Sequence, residues 1–197
     1  MTHIAERLKM FDGYFRKKEC YRALDEDELQ KLAKGLPETL VALLRRDGLC
    51  SYNDGLVWTC DPREWSPMVR PWFQRKKNCH VVMRTALGEP FIWDADEDWV
   101  WKGLVHEART TYAAPGLDVF ISSYLTQASL YRSTGLGPAL KKGLRGAGPL
   151  EPDEMYLWVP ALLLGGDPAT SELEKGKASV ALDILAQQAD ITIVEPG

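Results

Sequence analysis

From Leu49 to Thr110 the sequence repeats one pattern: short runs of aromatic and β-branched residues, each closed by a turn bearing glycine or aspartate. Asn53-Asp54-Gly55 leads into Leu56-Val57-Trp58-Thr59, and Leu87-Gly88-Glu89 separates the run from Val81 to Ala86 from the run Pro90 to Asp94. Connections this short join antiparallel neighbours, because a parallel pair needs a crossover of about a dozen residues or more. Asp98 to Lys102 and Val105 to Thr110 read as another hairpin around Gly103-Leu104. The middle third is therefore expected to be a small, twisted antiparallel sheet.

Helical patterns flank it. The first forty-eight residues read as helices: DEDELQKLAKG carries acids in its first turn, and the next helix opens at Leu36-Pro37-Glu38 and stops at Gly48. Asp61-Pro62 marks the cap and first position of a short helix that Pro67 and Pro71 interrupt. Leu117, Phe120, Ile121, Tyr124, Leu125 and Ala128 follow amphipathic-helix spacing. A weaker helix surrounds Ala139 to Leu144, Met155 to Val159 reads as a strand, and Glu172 to Gln188 reads as a final helix. The fold class is α+β, with helices packed around the sheet. TYAAPG, Thr111 to Gly116, is the expected internal boundary, dividing the chain into 1–112 and 113–197, two regions expected to pack as one body.

With 24 basic and 28 acidic side chains the chain carries a formal charge of −4, which disfavours a nucleic-acid partner despite the basic groups Arg70, Arg75, Lys76, Lys77, Lys141, Lys142 and Arg145. The longest apolar run, VPALLLGG from Val159, is far shorter than the ~20 residues a membrane span requires. Cys20, Cys50, Cys60 and Cys79 form no CxxC pair and no apolar leader precedes them, so free thiols in a reducing cytoplasm are expected. Cys79 and His80 are adjacent, hence on opposite faces of a strand, and cannot form a thiol–base pair. His3 and His106 lack metal-ligand spacing; no metal, cofactor or catalytic constellation is expected, and His106 reads as a surface or half-buried strand residue.

Asp94, Asp96, Glu97 and Asp98 form the densest acidic run and border Trp93, Trp99 and Trp101. Three readings apply: a solvated hairpin loop between core tryptophans, a sugar or nucleotide hydrolase with Asp94, Asp96 and Glu97 as acid and base, or a recognition edge for a basic protein. In the third, the four acids steer the partner and Trp99 or Trp101 anchors it; strand alternation puts those two indoles on one face, so both are anchors or both are core. Trp58, Trp93 and Trp158 lie within apolar strand patterns and are expected in the core.

Two stretches carry a specific resemblance. LPETLVALLRRDGLCSYNDGLVWTCDPREWSPMVRPWF with RTALGEPFIWD, and GPLEPDEMYLWVPALLLGG with ELEKGKASVALDILAQ, resemble the bacterial family that joins an N-terminal GAD-like domain to a C-terminal type VI secretion immunity domain. Its most specific pieces are Asp54-Gly55-Leu56 before Trp58, Phe91 to Asp94, and Gly148-Pro149-Leu150 through Tyr156 to Val159–Leu162 and Gly165-Gly166; Leu157-Trp158 departs from the more usual Gly-Phe. The resemblance implies a cytoplasmic, non-enzymatic immunity protein on a toxin-immunity scaffold. Its partner would be a cognate type VI effector, in characterised relatives a DNase, which must be basic enough to hold DNA and so suits an acidic inhibitor.

Overall fold

The computed structural model describes residues 2–73, 78–127, 131, 135–188 and 190–195. Eight strands form one sheet in the order β1 (Lys18–Arg22), β2 (Leu49–Tyr52), β3 (Val57–Thr59), β4 (Cys79–Thr85), β5 (Pro90–Asp94), β6 (Trp99–Leu104), β7 (Arg109–Pro115) and β10 (Thr192–Val194). Every pairing is antiparallel except β7 with β10. A separate antiparallel ribbon joins β8 (Glu154–Val159) to β9 (Glu172–Lys177).

Helices cover both faces of the sheet. On one side Phe91, Trp93 and Val100 meet apolar residues of α1 (Thr2–Tyr14), α2 (Glu26–Leu32), α3 (Glu38–Asp47) and α5 (Leu117–Val119), which continues into a π-turn, Phe120–Tyr124. On the other, Ile92 and Trp101 meet α4 (Pro62–Met68), the 3₁₀ turn Arg70–Phe73 and α7 (Ala178–Gln188). Every residue of β5 is therefore buried, and Pro90 to Trp93 run apolar without alternation because the strand has no solvent face. Trp58, Trp93 and Trp158 lie in the core as expected.

Local chemistry sets the boundaries. Asp25 caps α2 by accepting the Glu28 N–H at 2.8 Å, and Asp61 caps α4 by accepting the Arg63 N–H at 2.9 Å, with Pro62 at the first position. Gly48 stops α3 with φ +73°, a left-handed backbone that glycine adopts without a Cβ penalty. At the β4–β5 turn Gly88 has φ +71°, and the Met155 side chain of β8 packs where a Cβ would stand. The same turn bonds directly to the ribbon: Tyr156 N–H donates to Ala86 O and Arg84 Nη2 to Pro152 O, each at 2.9 Å.

The structure departs from the sequence expectations in several places. The sheet is larger than expected because Lys18–Arg22 and Thr192–Val194 extend it at both ends. Glu172–Lys177 is strand β9, so only Ala178–Gln188 of the expected final helix is helical. The turn between β6 and β7 is the 3₁₀ segment Val105–Glu107 with Ala108 at φ +48°, displaced from Gly103-Leu104. The expected boundary segment, Thr111 to Gly116, forms the end of β7 and the step into α5. Ala128 and the basic cluster Arg75, Lys76 and Lys77 lie outside the described residues. Cys20 and Cys50, expected as free thiols, are direct partners across β1 and β2 and are joined in a disulfide; Cys60 is a buried thiol outside any disulfide. Among the described residues no helix is long and apolar enough to cross a membrane.

Candidate partner-binding surface

The β5–β6 hairpin presents the acidic run, and register decides which acids reach water. Asp94 closes β5 opposite Trp99, and at 1% exposed its side chain faces inward. Its Oδ1 accepts the Asp96 N–H at 3.1 Å, turning the chain. Asp96, Glu97 and Asp98 then form an exposed turn, with Asp98 at φ +50°. Asp96 Oδ1 accepts from Asn78 Nδ2 at 3.2 Å, and Asp98 Oδ1 accepts the Trp93 indole N–H at 2.8 Å. These bonds hold the carboxylates in place while leaving their charge at the surface.

The tryptophans go the other way. Trp101 is 1% exposed and Trp99 partly buried; they pack 5.9 Å apart, centroid to centroid, and both meet Tyr112 edge-on. They share a face, as alternation requires, and that face is core. Asp94 and Trp101 are thus removed from the exposed edge, because β5 and β6 lie between two helical layers and a side chain on either face meets protein. What the turn brings together at the surface is Asp96, Glu97 and Asp98, with the edge of Trp99 beside them.

The groove next to this turn has no signal in the sequence. About 280 Å³ in volume, it is lined by Gly35, Leu36, Pro37, Trp93, Asp98, Leu117 and Asp118. Asp118 takes the Arg7 guanidinium at 2.5 Å and the Thr39 hydroxyl at 2.5 Å, so part of its charge is neutralised internally. Two carboxylates therefore flank an indole floor from segments twenty residues of sequence apart, a proximity that spacing alone does not signal. His80 stacks on Trp93 with centroids 5.8 Å apart, and burial holds its pKa below the ordinary histidine value. Cys79 packs on the opposite face, as adjacent strand residues must.

The hydrolase reading requires two acids opposed across a cleft. Asp94 is sealed inside and Asp96 and Glu97 lie on a convex turn, so these carboxylates do not form that pair. Among the described residues no group of three or more histidine, cysteine, aspartate or glutamate side chains could hold a metal ion. Two other acidic stretches are exposed: Asp25 to Asp27 holds the α2 cap and the ion pair of Glu26 with Arg45 at 3.1 Å, and Glu151 with Asp153 holds the pair of Asp153 Oδ2 with Lys177 Nζ at 2.8 Å.

Comparison with known proteins places two family matches on this frame. The GAD-like domain matches residues 5–102, and the C-terminal domain of the T6SS immunity protein Tdi1 matches residues 121–188. The crystal structure of Atu4351 from Agrobacterium tumefaciens superposes with a TM-score of 0.71 over 95% of this chain and 91% of that one, at 17% identity, which establishes a shared fold. No curated protein sequence matches the chain.

Proposed function

We propose that this chain, which belongs to the bacterial type VI secretion immunity family with an N-terminal GAD-like domain, neutralises a cognate nuclease effector by stoichiometric binding in the cytoplasm. The observation that carries the reading is the Tdi1 C-terminal match over 121–188, joined in one chain to the GAD-like domain. The surface geometry supports it. Asp96, Glu97 and Asp98 form a pre-ordered acidic turn beside a groove with an indole floor, an arrangement suited to the basic side chains of a nuclease that holds DNA. Because Asp96 and Asp98 are already fixed by hydrogen bonds, little of their side-chain freedom is lost on docking. Inhibition by occlusion requires no turnover, and no catalytic residue is assigned.

Co-production with a candidate cognate type VI nuclease effector tests the proposal. Host growth should be restored, and the two chains should elute together with a Kd in the nM range or tighter, on the order of −12 kcal/mol. Restored growth without any recoverable complex would replace binding with enzymatic modification of the effector.

A further inference from the structure

A second cavity, about 220 Å³ in volume, lies at the seam between the β4–β5 turn and the C-terminal region. Its walls include Leu87, Glu89, His106, Lys142, Trp158 and Leu162. Three charged side chains line it: Glu89, Lys142 and Glu107, the last exposed and already paired with Arg109 at 2.6 Å, which leaves Glu89 and Lys142 as the two of opposite sign that face a ligand. Glu89 is 7% exposed, and its Oε2 takes both Lys102 Nζ at 2.8 Å and Thr85 Oγ1 at 3.1 Å. Among the described residues no hydrogen bond uses Oε1, and the Glu89 side chain lines the cavity. Lys142 is half-buried on α6 (Leu136–Gly146), with Nζ 5.6 Å from the centroid of the Trp158 ring; it donates one hydrogen bond to Ser171 O. An ammonium has three donors, so two remain.

The rest of the lining fixes the ligand's body. Leu87, Ala139, Trp158 and Leu162 are apolar, and His106 ties the wall by bonding through Nε2 to Leu87 O at 3.0 Å. Lys102 already neutralises one charge on Glu89, so the acceptor at Oε1 is directional and does not add a bare buried anion. The volume falls below the roughly 300 Å³ at which drug-sized pockets begin, which limits the ligand to a single small metabolite. One acceptor, one cationic donor and an aromatic–aliphatic wall together describe a zwitterion with an apolar side chain. We infer that this cavity binds a free apolar α-amino acid, its ammonium on Glu89 Oε1, its carboxylate on Lys142 and its side chain against Trp158 and Leu162. The ligand would touch the β4–β5 turn, α6 and β8 at once, bridging the two family-matched regions.

Calorimetric titration of the full chain tests this with L-leucine and L-phenylalanine as probes, and with isoamylamine and 4-methylpentanoate as half-ligands. At least one amino acid should bind saturably at mM concentration or tighter, and each half-ligand about tenfold or more weakly by comparison. Lys142→Gln, whose folding is verified by an unchanged melting temperature, should weaken the amino acid about tenfold and leave isoamylamine unaffected. Failure of both amino acids to bind at ~10 mM overturns the inference. So does equal binding of leucine and isoamylamine, or a folded Lys142→Gln variant that binds leucine normally.

Discussion

In the GAD-like region three buried carboxylates are tied to basic side chains. Asp47 takes Lys18 at 2.5 Å and Arg46 at 2.7 Å, Asp61 takes Arg22 at 2.5 Å and Arg63 at 2.6 Å, and Glu89 takes Lys102 at 2.8 Å. From Glu154 onward the chain instead leaves Val159, Leu164, Val180, Ile184 and Val194 exposed. The first region fixes its fold with internal polar networks, where removing one partner strands another, whereas the second exposes side chains that stabilise little by contact. Mutational loss should accordingly concentrate at the networks and the seam, and be small on the outer faces of α7 and the ribbon.

The sharpest way to break that contrast is Arg84. It is 1% exposed, sandwiched between Trp58 at 4.5 Å and Trp65 at 4.8 Å, and donates to the carbonyls of Thr85 and Pro152. Burial pushes its pKa down to about 10, still high enough to keep it charged at neutral pH. Arg84→Ala should cost about 3–5 kcal/mol by chemical denaturation, from the void and the stranded carbonyls, against about 0.5 kcal/mol or less for Val180→Ala. Equal losses at the two sites would remove the distinction between regions.

Trp93→Ala should cost about 3–5 kcal/mol as well, because it empties a 6%-exposed site and frees Asp98. A folded variant with an unchanged melting temperature would show that the face assignment of β5 is wrong. Reduction of Cys20–Cys50, thirty residues apart, should lower stability by about 3.6 kcal/mol in the chain-entropy picture, read as a lower melting temperature with reductant and no further loss in Cys20→Ser.

A smaller effect follows from pH. Burial holds His106 below its ordinary 6.5, outweighing Glu89, Glu107 and the carbonyls of Leu87 and Tyr156, all of which favour the charged ring. The unfolded chain then takes up the proton first, so this stability is present above pH 6.5 and is lost as pH falls toward the lower folded value. His106→Gln should flatten the melting temperature over that window in part, since His80 is shifted the same way by burial. Asp47 acts at lower pH: burial opposes its ionisation, but hydrogen bonds from Arg46 and Lys18 prevail and hold it below 3.8, so its contribution fades only beneath that value. The smallest stability effect belongs to Asp96→Asn with Glu97→Gln, within about 0.5 kcal/mol. The same pair should slow association with a basic effector at low salt and less at high salt, measured by stopped-flow mixing.

The elements legible from sequence are those with their own local signal: the Asp25 and Asp61 caps, the Gly48 stop, the Asn53-Asp54-Gly55 turn and the apolar strands β3 to β5. The strands that escaped reading lie at sheet or ribbon edges. KECYR and ELEKGK expose most of their side chains, and TIV is three residues long, so their extended state is set by pairing with β2, β8 and β7 and not by a pattern of their own. The acidic turn was visible as a charge run, but Asp94 and Trp101 looked exposable because their burial depends on helices far away in sequence. Glu89, His106, Lys142 and Trp158 meet only in three dimensions, and no spacing could have announced them.

Titration of the proposed effector's nuclease activity with this protein separates binding from turnover. Stoichiometric binding gives a linear fall in activity that reaches its floor at one equivalent, with a complex of matching stoichiometry by light scattering. Loss of all activity at a small fraction of an equivalent, growing with incubation time, would contradict it and mark the protein as an enzyme acting on the effector.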